Sequence, residues 1–535
     1  MTGTRAISRS QSALLFTGIL LATLSEAVAS TVLAVGRVDI IGDTHASPDE
    51  FALLDVSYTA LKLLGFIAAA SLMVRVDTRR LLMLAALAMG LSCAGAAATS
   101  WLELLVGLRA VQGFAGGVLL VIGQALIFLA FPRAQQPFLQ ALYAIGAVVA
   151  PATIAPALEG WLVDAGSWSW IFTGGALTAF AALVPIVMTP QSPSSTDATP
   201  LRFSLTDFVL LGIAIVSATF ALNQGVRWNW FEEPLIVWSS ALGLAGILAF
   251  VGRQLLSPEP RLLDYSAFGS ADFSFAFIVS FVAGAALFGS AYLIPSFAVS
   301  VLSFTPTAAG LLLLPSSALF VGALLLSAFL VQKRGVPPIA TVPLGILATM
   351  AAMWSLSLTT IESGADDMAP AMLLRGVGLG FLFLAITLVA FNTLKPQQIA
   401  SAVGLFNVGR QLGGLIGVAG LQTLIQHDIA ENLSVLSAGI ASGAPAAAER
   451  LAALTAALSA QGLDAASAQQ AAYGVLTRAV VSQATVLAYN TAFGTLALLF
   501  VVAAPVMIAV KLTLNRKRQT PHAIARSPSE SRPSS

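Results

Sequence analysis

Charge is scarce in this chain: acidic and basic side chains make up 10% of its 535 residues, and their formal balance is +1. Soluble domains carry about 25% charged residues. An ordinary soluble enzyme is thereby excluded, and so small a net charge offers no field to nucleic acid. Cysteine is scarcer still. The single Cys93 can form neither an internal disulfide nor a thiolate metal site, and its apolar neighbours make it core filler. No His, Cys and carboxylate cluster has metal-ligand spacing, no glycine-rich phosphate loop occurs, and no Ser/His/Asp set suggests a hydrolase. Catalysis has no candidate residue, and neither a cofactor nor a metal is expected.

What the chain has in abundance is apolar length, with 57% hydrophobic residues. Apolar runs recur from 12–35 through 488–512, roughly fourteen by the criterion that about 20 residues span a ~30 Å bilayer core. A span in hydrocarbon must close its own backbone hydrogen bonds, which a helix does within one segment. The expected fold is therefore an all-α polytopic membrane protein, and the first run is too well supplied with successors to be a cleaved leader.

The connections alternate in charge. One set holds Arg75, Arg79 and Arg80, Arg133, Arg202, Arg253 and Arg261, Lys333 and Arg334, and Lys395; the other holds Asp39, Asp43, Asp49 and Glu50, Glu103, Asp164, Glu232 and Glu233, and Asp366 and Asp367. Bases gather on the cytoplasmic side of inner membranes, so both termini are expected there. The Pro/Ser-rich "TPQSPSSTDATPLRFS", 189–204, reads as a cytoplasmic linker between two halves. The Ala-rich stretch at 427–485 is too long for a bare loop and is expected as an extracytoplasmic helical cap, with an irregular excursion as the alternative. The segment 513–535, basic and then Ser/Pro-rich, is expected as a disordered tail.

Charges inside the runs carry the functional reading, because each costs at least ~2.5–3.5 kcal/mol at mid-membrane. Glu26 lies ~21 Å into the first run and Lys62 ~17 Å into the second from the opposite side, so the two can meet near the centre. Asp55 and Tyr58 share the helical face of Lys62, seven and four residues away, and form a polar stripe aimed at a cavity. A membrane carboxylate beside a cation is a natural proton carrier. The alternatives are a static ion pair that fixes packing, and Lys62 as counter-ion to an anionic substrate. "RAVQGFAGG" puts Arg109, Gln112 and Gly113 on successive turns, either as a permanent interior charge or as a donor to backbone carbonyls. "LLRGVGLGFLF" repeats the theme with Arg375. "SAVGLFNVGRQLGGLIGVAG" places Asn407, Arg410 and Gln411 ahead of glycines whose first duty is close packing. Asp55, Tyr58, Lys62, Gln112, Arg375, Asn407, Arg410 and Gln411 are the expected substrate-cavity residues.

"GAVVAPATIAPALEGW", 146–161, carries helix breakers in an apolar run: Gly146, Pro151, Pro156 and Gly160. Proline removes a backbone bond and glycine admits a neighbour, so a bent, close-packed helix is expected. At these residues the chain resembles the fourteen-span drug:proton antiporters of the major facilitator superfamily, and the likeness runs nearly its whole length. "RAVQGFAGG" is similar to the superfamily's fourth-helix motif, "GAVVAPATIAPALEGW" to the fifth-helix antiporter motif, and "LNQGVRWNWFEEP" to the connection between two extra helices. The resemblance implies a major facilitator fold with fourteen transmembrane helices: a six-helix bundle over 1–189, a linker and two inserted helices over 190–268, and a second six-helix bundle over 269–512. It implies proton coupling through Glu26, one position after the family's usual acid, assisted by Arg109. The loop "SLMVRVDTRR" keeps Arg79 and Arg80 but has Val74 where an acid is usual and Asp77 near the glycine position, so locking at that loop is either lost or managed by Asp77. Glu159 stands at a usual glycine and reads first as a rim carboxylate.

The expected function is proton-coupled efflux of amphipathic organic compounds across the inner membrane by alternating access. Its partners are protons, a small organic substrate, the lipid bilayer and a periplasmic adaptor protein docked on the cap. The rival readings are an importer or uniporter of the same fold, and a membrane partner or sensor that does not transport.

Overall fold

The computed structural model describes residues 9–155, 162, 166–189, 204–256, 264–441 and 445–524. Every regular element in them is helical. Twelve stretches are long and apolar enough to cross a membrane, and Gln136–Ala152 is a shorter apolar one. The protein is thus an all-α polytopic membrane protein. Large apolar side chains such as Leu244 and Leu248 are exposed on its outside, as lipid allows and water does not.

The first group of helices comprises α1 (Arg9–Val35), the short α2 (Arg37–Thr44), α3 (Pro48–Arg75), α4 (Thr78–Ala97), α5 (Leu102–Ala130), α6 (Gln136–Ala144) and α7 (Ser169–Met188). Two helices follow, α8 (Leu205–Gln224) and α9 (Pro234–Leu256). The second group comprises α10 (Ala271–Ser300), α11 (Pro306–Leu311), α12 (Leu313–Arg334), α13 (Val342–Leu356), α14 (Ala365–Phe391), α15 (Pro396–Ala441), α16 (Pro445–Ala460) and α17 (Ala465–Ile524). Local chemistry sets their ends. Ser47 and Glu50 cap α3 reciprocally, the Glu50 N–H reaching Ser47 Oγ at 3.3 Å and the Ser47 N–H reaching Glu50 Oε2 at 2.8 Å, which satisfies two orphaned donors. α12 stops at Gly335, whose φ of +67° is open to glycine without strain.

Within the first group α3 packs on α5, α1 on α7, and α4 on both α5 and α7. In the second, α10 packs on α15 and α17, and α14 on α12 and α13. The groups meet where α15 crosses α3 and α5, and where α6 crosses α12 and α14; α8 pairs with α9 and leans on α3 and α15. The α3–α5 crossing is backbone on backbone. A Cβ on Gly113 would fall 2.0 Å from the Tyr58 carbonyl oxygen, one on Gly117 2.3 Å from that of Lys62, and one on Gly65 2.4 Å from that of Phe114. α10 and α15 repeat the device: a Cβ on Gly413 would lie 2.0 Å from the Phe281 carbonyl oxygen.

Three elements differ from the sequence reading. No proline interrupts 397–444, so α15 runs unbroken for 46 residues, ~69 Å at 1.5 Å per residue, more than twice a ~30 Å bilayer core. The stretch 427–485 is accordingly the far end of α15, the whole of α16 and the first turns of α17. Secondly, α17 continues through 513–524, expected as disordered: 512–520 holds neither glycine nor proline to stop it, and Pro521 falls in its last turn. Thirdly, the breaker-rich segment after α6 is a π-helix, Ile145–Ile154, with Pro151 inside it. The wider turn accommodates a residue that has no N–H and would crowd the preceding turn. Pro156, Glu159 and Gly160, the linker residues 190–203, and 525–535 lie outside the described residues.

Candidate functional site

Between the two groups lies a cavity of about 840 Å³, within the ~300–1,000 Å³ of small-molecule pockets. Asp55, Tyr58 and Lys62 of α3 face Asn407, Arg410 and Gln411 of α15 across it, and Pro151 of the π-helix and Tyr292 of α10 complete the walls. Gln112 and Arg375, expected among these residues, do not line it. Each is held in helix packing: Gln112 Nε2 donates to the Ser92 carbonyl at 3.2 Å, and Arg375 donates to Ser290 Oγ at 2.7 Å and Ser316 Oγ at 3.3 Å. Spacing put both on a polar helix face, but that face meets serines and carbonyls instead of open space.

Glu26 is 1% exposed. Its Oε1 accepts the Tyr58 hydroxyl at 2.9 Å and pairs with the Lys62 ammonium, while its Oε2 accepts no hydrogen bond from the described residues. A Cβ on Gly116 would stand 2.8 Å from Glu26 Cγ, so that glycine makes the room in which the carboxylate sits. Lys62 is the link between compartments: it touches the buried acid and lines the cavity. Arg109 stands against Tyr58, its guanidinium 4.0 Å from the ring centroid. The same group donates to the Ala29 carbonyl at 2.6 Å and to Gln112 Oε1 at 2.9 Å, so it ties α5 to α1 while presenting a cation to the ring face.

One side of the cavity is sealed by contacts between the groups. Asn407 Nδ2 donates to Gln124 Oε1 at 2.8 Å, and the Phe128 and Phe391 rings meet at 5.0 Å. A Cβ on Gly404 would lie 2.4 Å from the Phe66 carbonyl oxygen. Arg410 donates to Asn407 Oδ1 and so fixes the amide that makes the crossing bond. Asn407→Ala leaves Gln124 Oε1 without its donor, a loss of about 1–3 kcal/mol. It is expected to loosen the seal, which faster alkylation of Leu120→Cys in a Cys93→Ala background would report.

The sequence reading missed Gln124 and Asn223. Asn223 Nδ2 donates to Asp55 Oδ2 at 2.7 Å, so a residue of α8 holds a carboxylate of the cavity. Its neighbouring loop reaches further: Arg227 pairs with Asp49 at 3.0 Å, and Trp230 Nε1 donates to Thr423 Oγ1 at 2.9 Å. A lone amide in an apolar run, as Gln124 is in "VLLVIGQALIFLA", was the available signal. Asp77 accepts the Arg80 N–H at 3.0 Å as the cap of α4, and Arg79 Nε donates to the Ile186 carbonyl at 3.0 Å, near the end of α7. The loop residues expected to lock conformations are engaged within the first group. Among the described residues, no three His, Cys, Asp or Glu side chains could hold a metal ion.

A family model described as Major Facilitator Superfamily matches residues 15–418. The colistin resistance protein EmrB of Acinetobacter baumannii is 27% identical over 410 residues, which cover 76% of this chain and 78% of that protein. The multidrug export protein EmrB of Escherichia coli is 25% identical over 401 residues, covering 75% and 77%. Among solved structures, the human organic anion transporter MFSD10 superposes with a TM-score of 0.58 at 12% identity, covering 93% of this chain and 99% of that one. At that identity the likeness is one of fold alone.

Proposed function

Because the chain belongs to the Major Facilitator Superfamily, a family of transporters and not of enzymes, we propose that it is a proton-coupled exporter of amphipathic organic compounds that works by alternating access. The observation that carries this reading is the buried Glu26, joined through Lys62 to the cavity between the helix groups. A carboxylate paired with a cation, with a second oxygen that accepts no hydrogen bond from the described residues, is a place where a proton can enter and break the pair. Breaking it frees Lys62 on the cavity wall, so proton and cavity share one lever. Outward direction is supported by the relatives named for drug resistance and export, since the fold serves import equally well.

In this reading the twelve apolar helices, the Gln136–Ala152 segment and α15 make fourteen spans. Two six-helix bundles, over 1–189 and 269–512, rock about the cavity, with α8 and α9 inserted between them. The charge alternation of the loops places both termini on the cytoplasmic side. The helical protrusion at 427–485 then lies outside, where it offers a surface to a periplasmic adaptor.

Direction is testable in proteoliposomes with an imposed pH gradient. A neutral amphipathic dye is expected to move toward the acidic side, against the proton flow, and to stop moving when an uncoupler collapses the gradient. Movement toward the alkaline side would identify an importer, and movement indifferent to the gradient a uniporter.

A further inference from the structure

The charges around the cavity are unequal. Lys62 and Arg410 line it, and Arg109 stands one layer behind over Tyr58. Among the described residues two carboxylates stand against these three cations: Glu26, engaged by Lys62, and Asp55, engaged by Asn223. Among the described residues no carboxylate lies within ion-pair distance of Arg410. Its guanidinium donates to Asn407 and stands 5.8 Å from the Phe383 ring. A planar five-donor group at a cavity wall matches carboxylates and sulfonates.

We infer that the cavity binds organic anions at Arg410 and Lys62 together with the proton on Glu26, not in exchange for it. The inference rests on the reading of Glu26 as the proton site. An anion that reaches Lys62 competes with Glu26 for one ammonium, and two anions cannot share it in a buried place without one of them becoming neutral. Protonating Glu26 removes that conflict and takes one negative charge away from beside Lys62. By linkage each event favours the other by the same factor. Among the described residues the titratable groups facing Glu26 are Tyr58 and Lys62 of α3, Tyr143 of α6 and Arg410 of α15, with Cys93 of α4 and Arg109 of α5 beyond Tyr58. None of these is a carboxylic acid.

The sign of this coupling has a direct effect on transport. Exchange against protons requires cargo and proton to exclude each other, whereas an organic anion holds the proton in place. Anions are therefore inhibitors of proton-driven export rather than its cargo, and the exported compounds are those that can occupy the cavity while Glu26 is ionised.

The probe is naphthalenesulfonate, whose charge is constant across the range used, compared with naphthyltrimethylammonium on the purified full-length protein. From about pH 8 to about pH 5 the sulfonate is expected to bind about tenfold more tightly, within the usual span of coupled sites. It should take up protons from weakly buffered solution as it binds. Glu26→Gln should bind it equally well at both ends of the range, and Arg410→Gln should weaken it about tenfold or more, the scale of a lost charge-assisted bond. A sulfonate that binds no better than the cation, or better at alkaline pH, overturns the inference even where proton-driven export runs. A pH dependence that survives Glu26→Gln overturns the placement of the proton itself. The comparison of the two probes needs no variant, so a misfolded mutant cannot obscure it.

Discussion

Glu26→Gln is expected to abolish proton-driven export, with a rate loss on the order of 100-fold or more, the scale for removing a positioned proton-transfer group. The amide keeps the size of the carboxyl and can still accept from the Tyr58 hydroxyl, now 2.9 Å from Oε1, but it can neither ionise nor neutralise the charge of Lys62. Removing one partner of a buried pair costs about 3–5 kcal/mol because the other charge is left alone. Here the loss should fall below that range, since Lys62 also lines the cavity. Thermal unfolding of the purified protein measures the stability change and proteoliposome flux measures the coupling. The double variant Glu26→Gln with Lys62→Met then separates a proton carrier from a static ion pair. It should recover stability without recovering export; a double variant that pumps at the normal rate would sink the proton role.

Gly113→Leu is expected to prevent the protein from folding. Its Cβ would stand 2.0 Å from the Tyr58 carbonyl oxygen, where carbon contacts need about 3.5 Å. The obstacle is backbone, so no rotamer change relieves it. Overpacking a core by small increments costs about 1–3 kcal/mol, and this change exceeds an increment, because Gly65 and Gly117 fix the same crossing on either side. Forcing α3 away would also drag Tyr58 and Lys62 off Glu26. Gly107→Leu on the same helix is the control: nothing lies within 4 Å of a Cβ there, and it should extract as a single monodisperse species. Size-exclusion profiles after membrane extraction distinguish the two, and a well-behaved, transporting Gly113→Leu would refute the account of the crossing.

Charged residues in apolar runs were the most legible part of the site, because the cost of burying them makes each one conspicuous. Counting helical rise from opposite ends was enough to bring Glu26 and Lys62 to one depth, and the structure pairs them. Helical spacing could assign Gln112 and Arg375 to a face but not say what that face meets, which depends on how neighbouring helices cross. Neutral amides were harder still. Gln124 and Asn223 cost little to bury once paired, so nothing in their own runs announces the partner, which lies 283 residues away for Gln124 and 168 for Asn223. The breakers of the fifth apolar run pointed to a bend; that Pro151 sits in a π-helix and lines the cavity follows from backbone geometry that composition does not encode. The reach of α15 was hidden for a different reason: apolar character ends near its middle, but nothing in the sequence ends the helix there.

The α8–α9 hairpin is moored unevenly. On the side of the first group it holds α3 twice, by the Arg227–Asp49 ion pair and the Asn223–Asp55 hydrogen bond, and on the side of the second it holds α15 by the Trp230–Thr423 hydrogen bond. If the groups part at this edge, the one link to α15 among the described residues yields before the two to α3, and the hairpin travels with α3 like a dinghy tied to one ship. Each departure then uncovers Thr423 on a helix that reaches far past the bilayer, while Asp55 keeps its partner throughout.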